Sequence, residues 1–273
     1  MRRSILHLTI ILTLLLGLSL LASISWQWFV PGEWFKCPLQ GIWCLPVFYL
    51  ATTYNPELSN YTVNSPEAVT AIVWDYRGLD TLFETSVFYL ALIAGIALAR
   101  GASYKLPTGG ELGLSKIVKT VSRLTLPMII TVGASIGLHG HLTPGGGFQG
   151  GATAAVAFMV AIVVFSIVFL VEHGVSKDRM LILRSIGLTG IGLTAVALFF
   201  AGLILGKNAY VFQNMAKPFA GLSFPWEVNS ALISGTLWFF NLFEFLAVTA
   251  GFTIAFMLLA MSEAGSEEGV RHE

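Results

Sequence analysis

Charge is what this sequence has least of. Asp, Glu, Lys and Arg make up 11% of its 273 residues, against 55% hydrophobic residues, and the mean hydropathy is +0.78. A soluble domain carries about 25% charged residues, so a fold wetted on every side is excluded and a bilayer must replace the solvated surface. Neither sign is in excess: 15 Lys and Arg balance 15 Asp and Glu. Nucleic acid is therefore excluded as a partner, because displacing counterions from phosphates needs a basic surplus. Cysteine is nearly missing. Cys37 and Cys44 are the whole thiol inventory, and with no second pair or nearby histidine they do not complete a zinc site. Nor is there a nucleophile–base constellation or a cofactor cage, which leaves an enzymatic reading unsupported.

What the chain has is long apolar runs, and they predict an all-α, polytopic membrane bundle of about six transmembrane helices, two plus four. The first run, Ile5 to Val30 after Arg2 and Arg3, is long enough to cross a hydrocarbon core of ~30 Å. It ends in Trp26, Trp28 and Phe29, an interfacial aromatic belt rather than the small-residue cleavage site of a signal peptide. Residues 31–66 read as an external loop. The second span is expected over Leu82–Arg100, led in by an interfacial Ala68–Leu79 segment. Pro107, Gly109 and Gly110 mark 101–114 as a linker. Four further spans are expected: Lys116–Leu138, Ala152–Glu172, Leu181–Leu205 and Val228–Met261, the last long enough to be tilted or broken near Asn241. The domain plan is thus 1–100, linker 101–114, 115–261, and a polar tail 262–273.

Basic residues orient the spans. With the N-terminus inside, the inner segments hold eleven Lys and Arg, and the outer segments hold only Lys36, Arg77, Lys207 and Lys217. That asymmetry obeys the positive-inside rule. It places both termini in the cytoplasm and makes the chain a multi-pass protein of the cell membrane. Cys37 and Cys44 then lie outside, where a disulfide is permitted. Sequence does not supply the Cα spacing, so their pairing stays open.

Against this apolar background the ionisable residues stand out, since burying one in a membrane costs at least a few kcal/mol. Asp75, Arg77, Asp80 and Glu84 cluster at the mouth of the second span. Asp80 and Glu84 are four apart and share a helical face, and Arg77 reaches that face from the preceding turn. Asp75 and Arg77 fit an interfacial ion pair that seats the helix; Glu84, deeper, fits an ion path. Glu244 is the most isolated charge, mid-span, with Asn241 one turn before it and no lysine or arginine in the same run. It reads either as a carboxyl that exchanges protons with a water-filled path or as a neutral acid that glues the bundle. Glu172 and His173 read as interfacial.

The segment from His139 to Gly151 carries His139, His141, Pro144, Gly145, Gly146, Gly147, Phe148, Gln149, Gly150 and Gly151. It contains G-x-G-x-x-G, but a dinucleotide site needs a preceding strand and a βαβ unit, and here helices lie on both sides. Two histidines without a third ligand make a weak metal site. Six glycines and a proline instead predict a turn that lets another chain approach closely, a structural glycine loop in contact with partners.

That string, Pro144 to Gly151, strongly resembles the signature of the B subunit of Mrp-type (Mnh-type) sodium/proton antiporters, and the resemblance extends over Lys116–Met261, including Lys217-Pro218-Phe219 and the long final helix. Asp75, Arg77, Gly78, Asp80, Thr81 and Glu84 resemble a motif near the C-terminus of the large A subunit of the same antiporters, with Phe83 where that motif has glycine. The chain thus looks like an A-subunit segment fused to a B subunit, an arrangement similar to that in archaeal membrane-bound hydrogenases and sulfane reductases. The resemblance implies a non-catalytic subunit that binds no cofactor of its own, with Na+ and H+ as transported ions. It implies partners of the A, C, D, E, F and G types, alongside a hydrogenase-like redox arm and the lipid bilayer. It also implies Glu84, Asp80, Glu244 and Asn241 as ion-pathway candidates, with Asp75, Arg77, His139 and His141 in support. The absence of mid-span lysines fits a subunit that lines a path rather than a complete pump. In that family the last helix often carries an acid just after a Phe, near position 241; here Glu244 comes one turn later.

Overall fold

The computed structural model describes residues 44–99 and 113–260. The chain divides into two compact units, Met1–Phe48 and Tyr49–Glu273, and the architecture below is that of the second. The expected first span, Cys37 with its pairing to Cys44, most of the linker and the tail lie outside the described residues.

Helix α1 covers Cys44–Thr53 and a 3-10 turn follows at Pro56–Leu58. A short helix α2 (Ala68–Ala71), capped by Glu67, runs directly into a π-helical turn, Ile72–Tyr76. The remaining helices are α3 (Gly78–Leu98), α4 (Lys116–Leu138), α5 (Gly147–Val164), α6 (Ile167–Glu172), α7 (Lys177–Leu205) and α8 (Thr236–Leu259). Among the described residues, α3, α4, α5, α7 and α8 are the five helices long and apolar enough to cross a membrane. At 1.5 Å per residue even the 18-residue α5 reaches about 27 Å. The expected all-α membrane bundle is what forms.

The bundle is organised around α8, which is apolar on every side and packs on both α5 and α7, while α4 packs on α5. Without a hydrophobic force between helices in lipid, close approach depends on small residues. A Cβ at Gly133 of α4 would stand 2.7 Å from the Ala154 backbone nitrogen of α5, and one at Gly187 of α7 would stand 2.6 Å from the Phe243 carbonyl of α8. The outward faces of α3, α4 and α7 carry Leu90, Leu98, Leu124 and Ile204, all exposed as lipid-facing side chains are.

The expected bounds of three spans are corrected. The fourth span begins not at Ala152 but at Gly147, so Gly147, Phe148, Gly150 and Gly151 belong to the first turns of α5 rather than to a loop. It also stops at Val164, because the Leu114 amide takes the Val164 carbonyl at 2.8 Å and Ser166 adopts a φ of 118° before α6 starts. The last helix is unbroken at Asn241 and starts only at Thr236. The residues before it form a small hairpin, Glu227–Val228 paired with Ala231–Leu232, turning through Asn229 and Ser230, both at positive φ. The second span starts at Gly78, which puts Asp80 and Glu84 inside α3.

The segments at the N-terminal ends of α3, α5 and α8 interlock through side-chain hydrogen bonds. Asn214 donates to the Val63 carbonyl (3.0 Å) and accepts from the Thr236 amide (2.8 Å). Ser65 donates to the His141 carbonyl (2.8 Å), and Thr70 to the Gly140 carbonyl (2.7 Å). His141 in turn donates from Nε2 to the Leu232 carbonyl at 3.0 Å. These bonds clamp the π-helical turn over the start of α5 and set the site described next.

Candidate functional site

Helix α5 starts in a run of glycines and has no capping side chain of its own at Gly146. A helix N-terminus leaves backbone N–H groups without partners, and here α8 supplies them in trans. Asn241 Oδ1 accepts from the Gly147 amide at 3.3 Å, and the Glu244 carboxyl accepts from the Phe148 amide and from the Trp74 indole. The positive end of the α5 dipole thus faces the carboxyl. Glycine at 147 is required: a Cβ there would lie 2.6 Å from Glu244 Cβ and 2.5 Å from the Asn241 carbonyl. Trp74 is held by stacking on Phe240, with ring centroids 4.5 Å apart.

Beside this junction opens a cavity of about 200 Å³. Glu84 of α3 and Glu244 of α8 both line it, with Asn241, Thr70, Thr81 and Gln149. Glu244 is 6% exposed and Asn241 1% exposed, and the Asn241 Nδ2 has no partner. Glu84 is exposed, so the cavity has an open side. The Thr81 hydroxyl donates to the Val73 carbonyl at 2.8 Å, as Thr70 does to Gly140, which leaves their oxygen lone pairs free. The result is a set of oxygen acceptors with two carboxylates, the donor chemistry of a hard cation in partial hydration.

The other expected residues lie elsewhere. Asp80 faces away and pairs with Arg77 (2.6 Å), both side chains about 60% exposed. Asp75 turns into the protein, 1% exposed, and pairs with Lys217 at 2.7 Å. Burial pushes its carboxyl above the usual carboxylate range, and Lys217 opposes that rise. His139 is a helix-end residue whose ring contacts the Ser135 carbonyl, whereas His141 is 2% exposed and turned toward Leu232. The two do not converge, and no group of three metal-ligating side chains occurs among the described residues. Pro144 is in the turn before α5 but does not line the cavity; Gly145, Gly146 and Phe148 do.

Sequence reading missed Thr70, Trp74, Thr81 and Gln149 as lining residues, since polar residues near a helix end carry no mark of convergence. It also missed Arg184. Counted among the eleven basic residues of the inner segments, this residue lies seven positions into α7 and is 1% exposed. A lone arginine inside the apolar run 181–205 was the available signal.

The comparisons place this geometry in a family. Residues 117–254 match a domain related to the MnhB subunit of Na+/H+ antiporters, half of the chain. The chain belongs to the MnhB family. Among curated proteins it is similar to MJ1307 of Methanocaldococcus jannaschii, 28% identical over 221 residues, 74% of this chain and 79% of the relative. Among solved structures it is similar to a chain of the membrane-bound sulfane sulfur reductase, an archaeal respiratory membrane complex. That match has a TM-score of 0.58 and 25% identity, and covers 94% of this chain and 98% of the other. A chain of the Mrp complex from Dietzia sp. DQ12-45-1b shares the fold over 95% of this chain and 26% of its own length, with a TM-score of 0.55 at 17% identity. The MnhB-type region holds Gly147, Gln149, Asn241 and Glu244, whereas Thr70, Trp74, Thr81 and Glu84 precede it. The cavity is therefore built across the boundary of the family domain.

Proposed function

We propose that this MnhB-family chain is a subunit of an Mrp-type Na+/H+ antiporter module within a respiratory complex of the membrane-bound sulfane reductase or hydrogenase type, and that its Glu84–Glu244 cavity is a station on the cation path. Its partners are the other antiporter-type subunits. It contributes transport rather than catalysis and binds no cofactor. The residues 68–98 act as an A-subunit-like segment completing a B-subunit-like bundle, and the termini face the cytoplasm, following the basic residues.

The observation that carries this reading is the pair of acids from two different membrane-length helices that line one open cavity. A carboxylate placed only to glue helices has no need of adjoining space. Glu244 supplies the inner, backbone-oriented oxygen ligands and Glu84 the exposed ones, so a cation enters past Glu84 and gives up water as Glu244 replaces it.

The test is sodium-dependent proton transport in membrane vesicles containing the complete complex. Glu84→Gln and Glu244→Gln should each lower transport by about tenfold or more with the complex assembled at its normal level. Unchanged transport in both variants refutes the ion-path role and leaves an assembly subunit.

A further inference from the structure

Arg184 is a buried ionisable side chain that the proposed cation station does not use. From α7 it crosses to α8, where Nη1 donates to the Ala247 carbonyl at 2.7 Å. Its guanidinium lies 4.5 Å from the Phe88 ring centroid and 5.6 Å from that of Tyr89, both on α3. Gly251 of α8 leaves the room: a Cβ there would collide with Nη1 and stand 3.1 Å from both Phe88 and Leu92. Three helices thus cradle one guanidinium. It has no acidic partner among the described residues, and its Nε and Nη2 have no hydrogen-bond acceptor.

Its place along the helices gives this cost a purpose. Phe88 follows Glu84 by one turn on α3, and Ala247 follows Glu244 by nearly one turn on α8, both toward the C-terminal ends of those helices. Aromatic rings surround the guanidinium at this level. Phe88 packs on Phe252 with centroids 5.1 Å apart, and Phe148, which lines the cavity, packs on Phe252 at 6.0 Å. A cation that left the carboxylates along the seam of α3, α7 and α8 would meet an uncompensated fixed positive charge packed among aromatic rings. Hydrophobic constrictions and buried arginines are the two devices by which pores refuse cations.

Resting on the cation-station reading, we propose that Arg184 is the electrostatic barrier that makes the Glu84–Glu244 cavity a blind half-channel in this chain. The cation must then leave sideways, into a path completed by a partner subunit, and cannot slip through the bundle uncoupled from protons. Arg184 is a specificity-determining residue: it touches no ion in transit and acts by repulsion.

The experiment is passive 22Na+ influx into proteoliposomes of the complete complex with no proton gradient, for wild type, Arg184→Gln and Arg184→Lys. A unit charge met at about 5 Å in a medium between water and protein interior changes a cation's passage by roughly tenfold to a hundredfold. Arg184→Gln should therefore raise influx by about tenfold or more, and Arg184→Lys should remain close to wild type. Influx of Arg184→Gln equal to wild type at equal reconstitution overturns the barrier. Should Arg184→Gln fail to assemble, Arg184→Met, which keeps the stem packing without the charge, is read in its place. Assembly of Arg184→Lys alone would show a purely structural need and also overturn the proposal. Failure of the cation station itself would show separately, as normal coupled transport in Glu84→Gln and Glu244→Gln.

Discussion

Two polar regions lie within a few residues of each other in this chain and are built on opposite plans. In the cap formed by the segments before α3, α5 and α8, Asp75 meets Lys217, Asn214 joins Val63 to Thr236, and His141 joins Ser65 to Leu232. Most of those groups are spent on another segment of the same protein, and none lines the cavity. In the cavity, Glu84, Glu244, Asn241 and Thr81 face shared open space. The difference separates glue from a site: polar groups bonded to another segment hold the segments together, and polar groups left facing a void are available to something that arrives.

Changes at the two regions should therefore fail in different ways. The largest effect is expected at their junction. Gly147→Ala drives a methyl group into Asn241 and Glu244; it should lower transport to about 10% of the wild-type rate or less and destabilise the bundle by about 1–3 kcal/mol, read by vesicle transport and thermal unfolding in detergent. Next comes the cap. Lys217→Met strands a buried carboxylate and should cost about 2–3 kcal/mol, while the double variant Asp75→Asn with Lys217→Met should recover most of it. The exposed Arg77–Asp80 pair serves as the contrast, worth at most about 1 kcal/mol. A cap that tolerated Lys217→Met would erase the distinction drawn above.

The smallest effect concerns pH. Burial pushes the His141 imidazole below its ordinary value of 6.5, so the unfolded chain binds a proton that the folded cap does not. Stability contributed by neutral His141 is present above pH 6.5 and is lost as the pH falls from there through the lowered folded value. His141→Gln keeps a donor for the Leu232 carbonyl and does not titrate. Its unfolding temperature should lack the acid-side decline of wild type, and parallel declines in both proteins would remove His141 as the cause.

Much of the fold was legible because apolar runs in a membrane protein admit few solutions. Five described spans fall where composition put them, and the misjudged ends have local causes. Glycine counts as a helix breaker in water, yet at Gly147–Gly151 it permits a helix start that Asn241 and Glu244 cap from another helix. The Val228–Thr236 stretch is apolar enough to extend α8, but Asn229 and Ser230 at positive φ turn it into a hairpin. In the site, Glu84 and Glu244 were visible as isolated charges in oil. Their meeting was not, because it depends on helices 160 residues apart in the chain, and neither was the burial of Asp75, whose partner Lys217 lies 142 residues away. Arg184 shows the converse error: a residue near the start of a span was assigned to its flank when its side chain runs inward.

Carbodiimide modification of Glu84 and Glu244, followed by mass spectrometry on the assembled complex, tests most directly whether the cavity holds a cation. Sodium, compared with choline at equal ionic strength, should slow modification at both carboxyls, and Gly147→Ala should remove that protection. Identical rates with and without sodium at both positions would contradict a cation site between them.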